Sequence, residues 1–521
     1  MSWLAQHQNR TLLVMGLLVA VINLDFYGLA ILLPAVGKDF QTGGSELEWV
    51  MNSYLLTYSA PLIALGRVGD VIGPKKLAIG GAVLFVLAGA GSFLANDVWV
   101  LVATRMVQGL AAAMICVVAV AMISRAHEGA GHTSAIGYMS AIYMMGGMVG
   151  PFLAGALTDA LSWRWFFGLG VVLMLACLFL LLAFVTEEAT KPANTTIDWA
   201  GFAVLTGALF LVVIALELVQ RLGWTSSWTL LCLGGGLGGC ALFYWVERRQ
   251  VSPLVDFSLF VNRRFACTCV LFFLTFFPFG AMLYFLALYL QHVLGYSAIQ
   301  SGAIYLAMMI PIVVISLVSG RLTERCGLPF ALAFSCAAMV VAFVLFGFVQ
   351  GESPLFLILS GLLVLGIGQG LVSAVGFSIG MAAVPAEKSG EGSGILGTVR
   401  NMALPLGVAA SGAFFRTWEN DQLAHLLNLA GGRVSKEMQV EIYGLLSGSQ
   451  AIRERLDELS PDLAARVHLV VDQAFSHAFR NLMFLCIALS AVALLLTYLF
   501  KDQGTFDEKG TESAGGSKPN G

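Results

Sequence analysis

Gly66-Arg67-Val68-Gly69-Asp70-Val71-Ile72-Gly73 follows the second apolar run of this chain, and Gly320-Arg321-Leu322-Thr323-Glu324-Arg325-Cys326-Gly327 follows the tenth. Glycine, acid and glycine coincide at one offset, 254 residues (320 minus 66). Gln108-Gly109 is likewise echoed by Gln369-Gly370, at an offset of 261 residues (369 minus 108). A repeat on this scale implies a chain of two similar halves, and repeated halves of apolar helices around a central site are a transporter architecture.

Composition places the halves in a bilayer. Of 521 residues, 58% are hydrophobic and 11% charged, whereas a soluble domain carries about a quarter charged residues. About 20 apolar residues span a bilayer as a helix. That window gives fourteen spans, near 11–34, 48–66, 77–96, 98–124, 134–158, 165–185, 199–219, 228–246, 266–293, 299–318, 329–350, 354–384, 393–416 and 481–500. The first is too long for the apolar core of a signal peptide and is followed at once by further spans. A net charge of −3 gives no sign of nucleic-acid binding. The nine cysteines sit in or beside apolar runs without metal-ligand spacing and read as small buried hydrophobes.

Lysine and arginine set the orientation. With the N-terminus in the cytoplasm, the short inner loops hold Arg67, Lys75, Lys76, Arg125, Lys191, Arg248, Arg249, Arg263, Arg264, Arg321, Arg325 and Lys388, and the short outer loops only Lys38, Arg164 and Arg221. The positive-inside rule then predicts both termini in the cytoplasm. Residues 1–190 form a first six-helix bundle, 191–264 two inserted helices, and 265–500 a second six-helix bundle. Residues 417–476 form a long outer loop in which patterns such as Ile452-Arg453-Glu454-Arg455-Leu456 predict amphipathic helices. Residues 501–521 form a polar tail expected to be disordered. The long loop is either a solvated cap or a surface for a periplasmic adaptor.

Several polar and small residues stand out inside the spans. Asp25 and Arg105 are charged groups within membrane helices, which are costly and so usually functional. Asp25 lies nine residues from the outer end of its span and Arg105 seven residues inside its own, or about 13 and 11 Å at 1.5 Å per residue. The matching depths predict that both face one central space, where a proton or a cationic substrate competes for the carboxylate. Gly137, Gly146, Gly150, Pro151 and Gly155 line the fifth span. Small residues admit a neighbouring helix, and Pro151 removes a backbone hydrogen bond. In the thirteenth span Arg400-Asn401 lies a turn or two inside the membrane, as a gate or an anion site.

Together these motifs resemble the major facilitator superfamily, in particular its fourteen-span drug:proton antiporter branch, over nearly the whole chain. Gly66-Arg67-x-Gly69-Asp70-x2-Gly73 followed by Lys75 resembles the superfamily's loop signature, with Val71 and Pro74 where basic residues are expected. Arg105-x2-Gln108-Gly109 resembles its arginine motif. Gly137-x8-Gly146-x3-Gly150-Pro151-x3-Gly155 resembles the motif of exporters, and Trp163-Arg164-Trp165 fits the branch as well. Leu24-Asp25-Phe26-Tyr27-x6-Pro34 resembles the branch's first-helix motif, with Tyr27 and Ala30 where polar Thr and Asn are favoured. The acidic residues that some relatives carry in late spans are not evident in the thirteenth, so a second proton site finds no support.

The resemblance implies an all-α polytopic membrane protein of two six-helix bundles plus two inserted helices. It implies a bacterial inner-membrane exporter of small amphipathic drugs in exchange for protons, with the proton gradient as energy source and no cofactor. The partners are then a small-molecule substrate, protons and the lipid bilayer. Export of a self-made metabolite such as a siderophore or an organic acid is the alternative, and a non-transporting membrane sensor a third reading. No nucleotide-binding loop and no hydrolase constellation occurs, so neither ATP-driven transport nor an enzyme is expected.

Overall fold

The structure is a computed structural model. It describes residues 7–42, 44–59, 61–126, 132–185, 199–249, 255, 257–349, 354–385, 388–429 and 461–501. Helices account for almost all of them: α1 (His7–Phe40), α2 (Gly44–Ser59), α3 (Leu62–Ile72), α4 (Pro74–Phe93), α5 (Val98–Ala126), α6 (His132–Ala160), α7 (Arg164–Phe184), α8 (Trp199–Leu222) and α9 (Ser227–Glu247) are followed by α10 (Arg263–Leu288), α11 (Ala298–Cys326), α12 (Leu328–Gly347), α13 (Leu355–Ala382), α14 (Ser389–Leu429) and α15 (Pro461–Lys501). Ten are long and apolar enough to cross a membrane by length and composition alone. Large apolar side chains such as Phe179, Phe356 and Leu495 stand exposed on the outer flanks, which suits a hydrocarbon solvent.

The quoted repeat is visible as geometry. Gly73 separates α3 from α4 with φ 100°, and Gly327 separates α11 from α12 with φ 83°. Each sharp turn uses a backbone region open to glycine at little cost, and each is followed by a proline in the first turn of the next helix, where the missing N–H matters least. The other two glycines of the motif are helical: Gly66 and Gly69 lie inside α3, and Gly69 packs against Val118 of α5. Only the last glycine of the motif is needed for the reversal.

Packing divides the helices into two bundles and a pair. In the first, α1 packs on α5, α6 and α7, α2 on α5, and α4 on α5 and α7. In the second, α10 packs on α13, α14 and α15, α11 on α13, and α12 on α13 and α15. The inserted α8 and α9 pack on each other, and α8 lies against both α14 and α2. Val213 of α8, Leu56 of α2, and Met402 and Ala409 of α14 share one small apolar cluster. The bundles meet along α6–α11, α2–α14 and α1–α10.

Two boundaries differ from the sequence reading. The second span is two helices, α2 and α3, parted at residues 60–61, with Pro61 preceding α3. The outer loop expected over 417–476 is shorter, because α14 continues through Leu429 and α15 already starts at Pro461. Charged residues such as Arg416, Glu419 and Asp421 depress hydropathy there, but no proline or glycine stops the helix. The Ile452–Leu456 pattern and the tail beyond 501 lie outside the described residues.

Candidate functional site

Asp25 of α1 and Arg105 and Gln108 of α5 form a closed triangle. Arg105 Nη1 donates to Asp25 Oδ2 at 2.6 Å and to Gln108 Oε1 at 2.8 Å, and Gln108 Nε2 donates to Asp25 Oδ1 at 3.3 Å. Arg105 and Gln108 share a face of α5 because they are three residues apart. All three are buried, Arg105 completely. The matching depths read from the sequence thus correspond to direct contact.

Aromatic faces complete the surroundings. The Arg105 guanidinium lies 4.1 Å from the ring centre of Tyr54 on α2 and 5.7 Å from that of Phe167 on α7. Its Nε and Nη2 have no hydrogen-bond partner among the described residues, so ring faces take the place of acceptors. Gly109 makes this approach possible: a Cβ there would overlap the backbone carbonyl of Tyr54. In Gln108-Gly109, therefore, one residue bonds the ion pair and the next admits the helix that covers it. The repeated Gln369 on α13 is equally buried, but its amide has no partner among the described residues. The polar triangle belongs to the first bundle only.

Tyr27 stands outside the triangle. Its ring meets Phe26 at 4.8 Å and Phe279 of α10 at 6.5 Å, so it faces the second bundle. Arg400 of α14 also faces the seam, half-buried, with its guanidinium 5.7 Å from the ring centre of Phe276. Asn401 beside it is buried. In the loop signature, Lys75 is half-buried in the first turn of α4, whereas the side chains of Arg67 and Asp70 lie outside the described residues.

The glycine row on α6 touches two different neighbours. A Cβ at Gly146 would overlap the carbonyl of Ala20, and one at Gly150 the carbonyl of Leu24, both on α1. A Cβ at Gly155 would overlap the carbonyl of Ala298 at the start of α11. The contact is reciprocal, since Gly302 of α11 faces the carbonyl of Pro151 equally closely. One face of α6 therefore seats α1 within its own bundle while its last turns seat the other bundle. Gly137 lies in the same helix, nearer its start.

Hydrogen bonds join the bundles at the face predicted to be outer. Asp159 Oδ2 accepts from the Ile299 N–H at 2.9 Å, and Gln291 Nε2 donates to the Ile31 carbonyl at 3.0 Å. Nearby, Asp39 accepts from the Trp163 indole at 3.2 Å and pairs with Arg164, which also donates to the Ala95 carbonyl at 3.0 Å. The Trp163-Arg164-Trp165 stretch thereby ties α1 to the α6–α7 turn.

Three buried acids among the described residues escaped the sequence reading: Glu48, Glu247 and Glu419. Glu48, near the start of α2, lies so close to Gly412 of α14 that a Cβ there would overlap its carboxylate. Glu419, seven residues on and on the same side of α14, is 1% exposed, with Arg416 at 3.4 Å from Oε2 and no partner for Oε1 among the described residues. It lies beyond the outer end of the predicted span, and burial, opposed in part by Arg416, pushes its carboxyl up to about 7. The thirteenth span itself holds no acid, but its helix, α14, carries a buried one three residues beyond the span. The clue was available: Glu419 keeps helical phase with Gly412 and Arg416.

Comparison with known proteins agrees with this architecture. The chain is 31% identical over 440 residues to the multidrug resistance protein Stp of Mycobacterium tuberculosis, covering 84% of this chain and 81% of that protein. It is 26% identical over 410 residues to the riboflavin transporter RibZ of Clostridioides difficile, covering 78% and 87%. Against the multidrug transporter protein MdtP of Bacillus subtilis it is 28% identical over 381 residues, covering 72% and 70%. In fold it is similar to the inward-facing bacterial homologue of the human lysosomal transporter Spinster, at TM-score 0.62, 13% identity and coverage of 95% and 98%. Residues 15–408 match the family described as Major Facilitator Superfamily, and the chain belongs to that superfamily.

Proposed function

We propose that this transporter is a proton-coupled exporter of small amphipathic compounds, working by alternating access between bundles 1–190 and 265–500. The observation that carries the reading is the Asp25–Arg105–Gln108 triangle, a carboxylate enclosed with a cation in the core of the first bundle. When Asp25 takes a proton, Arg105 loses its counter-charge. Its remaining close neighbours are Gln108 Oε1 and the rings of Phe167 and Tyr54, and Tyr54 lies on α2, which packs on α14 across the seam. Protonation is thereby read out where the bundles meet. Similarity to the multidrug proteins Stp and MdtP supports drug-like cargo, and the α6 glycine row supports the outward direction. The positive-inside count supports both termini in the cytoplasm, and the bacterial relatives support an inner membrane. In that orientation the bonds at Asp159 and Gln291 close the outer side.

A second reading keeps the fold and changes the cargo to a self-made metabolite. It is favoured by Tyr27 and Ala30, which remove two polar groups beside Asp25, and by similarity to the riboflavin transporter RibZ. Expression in an efflux-deficient bacterial host, challenged with a panel of chemically varied drugs, separates the two. Resistance to several unrelated drugs supports the first reading. Resistance to none, with export of one endogenous compound, supports the second.

A further inference from the structure

Arg400 is a half-buried cation of α14 at the seam. No ion pair to it occurs among the described residues, and its close contact is the Phe276 ring. Its charge is felt at four groups of the opposite bundle: Tyr27 on α1, Tyr58 on α2, Cys116 on α5 and Tyr143 on α6. These are three phenols and a thiol, with no carboxylate. Of the other buried acids, Glu247 at the end of α9 accepts from the Val255 N–H, and the rest are distant or engaged. Gly412, on which Glu48 rests, is 12 residues along α14 from Arg400, and Glu419 is 19 residues along, or about 18 and 28 Å at 1.5 Å per residue. Asp25 is held by Arg105 and Gln108. Among the described residues Arg400 thus has no acid for a salt-bridge gate, and a half-buried cation without an ion pair there is suited to an incoming anion.

Aromatic contacts lead away from Arg400 across the seam. From Arg400 they run through Phe276, Phe279, Tyr27, Phe26 and Tyr54 to Arg105, with ring-centre separations of 6.3, 6.5, 4.8 and 6.5 Å between successive rings. The path crosses from the second bundle to the first at Phe279–Tyr27. A run of aromatic rings with a cation unpaired among the described residues at its end favours an aromatic molecule with one negative group.

We propose that Arg400 docks the anionic group of the transported compound, so that the cargo class is an aromatic amphipathic acid, bearing a carboxylate, sulfonate or phosphate. This rests on the export reading and narrows its substrate class. The anion and the proton occupy different residues, Arg400 and Asp25, so they are coupled through movement of the bundles and not by competition for one group. Expulsion of an anion from a negatively charged interior is also favoured by the membrane potential.

The test uses three matched probes on the purified full-length protein in detergent: 2-naphthoate, 2-naphthalenemethanol and (2-naphthylmethyl)trimethylammonium. The wild type is expected to bind naphthoate at least tenfold more tightly than the alcohol, and the cation most weakly. The naphthoate-to-alcohol affinity ratio falls at least tenfold in Arg400→Gln and stays within threefold of wild type in Arg400→Lys; a ratio within one protein is insensitive to loss of folded material. Naphthoate that binds no tighter than the alcohol, or a ratio unmoved in Arg400→Gln, overturns the proposal. Reconstituted vesicles separate it from the export reading. Proton-driven movement of the cation or the alcohol but not of naphthoate sinks the anion site alone. Intact charge preference without proton-driven movement of any probe sinks proton-coupled export alone.

Discussion

Arg105 has no exposed surface, and its charge is balanced by a single carboxylate. Removing one partner of a buried pair costs about 3–5 kcal/mol because the other charge is left unpaired. Asp25→Ala is therefore expected to lower the melting temperature sharply in detergent, whereas the double change Asp25→Ala with Arg105→Met recovers much of the loss. Equal or additive losses would show that the pair does not carry the charge balance. Glu419 titrates with a readable sign. Its carboxyl is raised from an ordinary 4.5 to about 7 by burial, with Arg416 opposing, so the folded state holds the proton more tightly than the unfolded. Its favourable contribution is complete below about 4.5 and is lost as pH rises through about 7. Melting temperatures should fall from pH 5 to pH 8 in the wild type and fall less in Glu419→Gln; parallel curves would contradict this. At this scale the sequence revealed Asp25, Arg105 and Gln108, because a charge inside an apolar run is conspicuous. It hid Glu48 and Glu419, whose burial comes from a helix of the other bundle or from a helix end that looks polar in one dimension. Tyr54 was equally hidden: its role depends on Gly109, 55 residues away.

Among the elements, α6 is the most sensitive to small changes. Gly155 faces the α11 backbone while Gly146 and Gly150 face α1, so equal substitutions have unequal effects. Gly155→Val is expected to push α11 away at the predicted outer face and reduce export several-fold while the bundle stays folded. Gly146→Val strikes α1 inside its own bundle and should lower thermal stability as well. The paired measurement is export rate against melting temperature for each variant; identical behaviour of both would place Gly155 outside the seam. The spacing of the row was legible from sequence. Its division between two partners was not, since small residues announce close approach without naming what approaches. The same limit applies to the loop motif, where Gly73 forms the turn and Gly66 and Gly69 are helical.

For the whole molecule, the fourteen apolar spans and the internal repeat led to the two-bundle fold, and the positive-φ pair Gly73 and Gly327 is the repeat seen as backbone. The lie of α8 across α2 and α14 was not foreseen, because hydropathy fixes that a span exists and not where it packs. If the seam opens during transport, fastening it stops the cycle. Asp159→Cys with Ile299→Cys, in a background without the nine native cysteines, all of them free, should lose export on oxidation and regain it on reduction. Export that survives oxidation would mean that the outer seam stays shut throughout.

Proton coupling through Asp25 is tested most directly in reconstituted vesicles that report proton flux and substrate flux together, with wild type and Asp25→Asn side by side. The wild type is predicted to move protons when a transported compound is added and to accumulate that compound against its gradient when a proton gradient is imposed. Asp25→Asn is predicted to bind the compound yet do neither. Proton-driven accumulation of equal extent by Asp25→Asn would contradict the assignment.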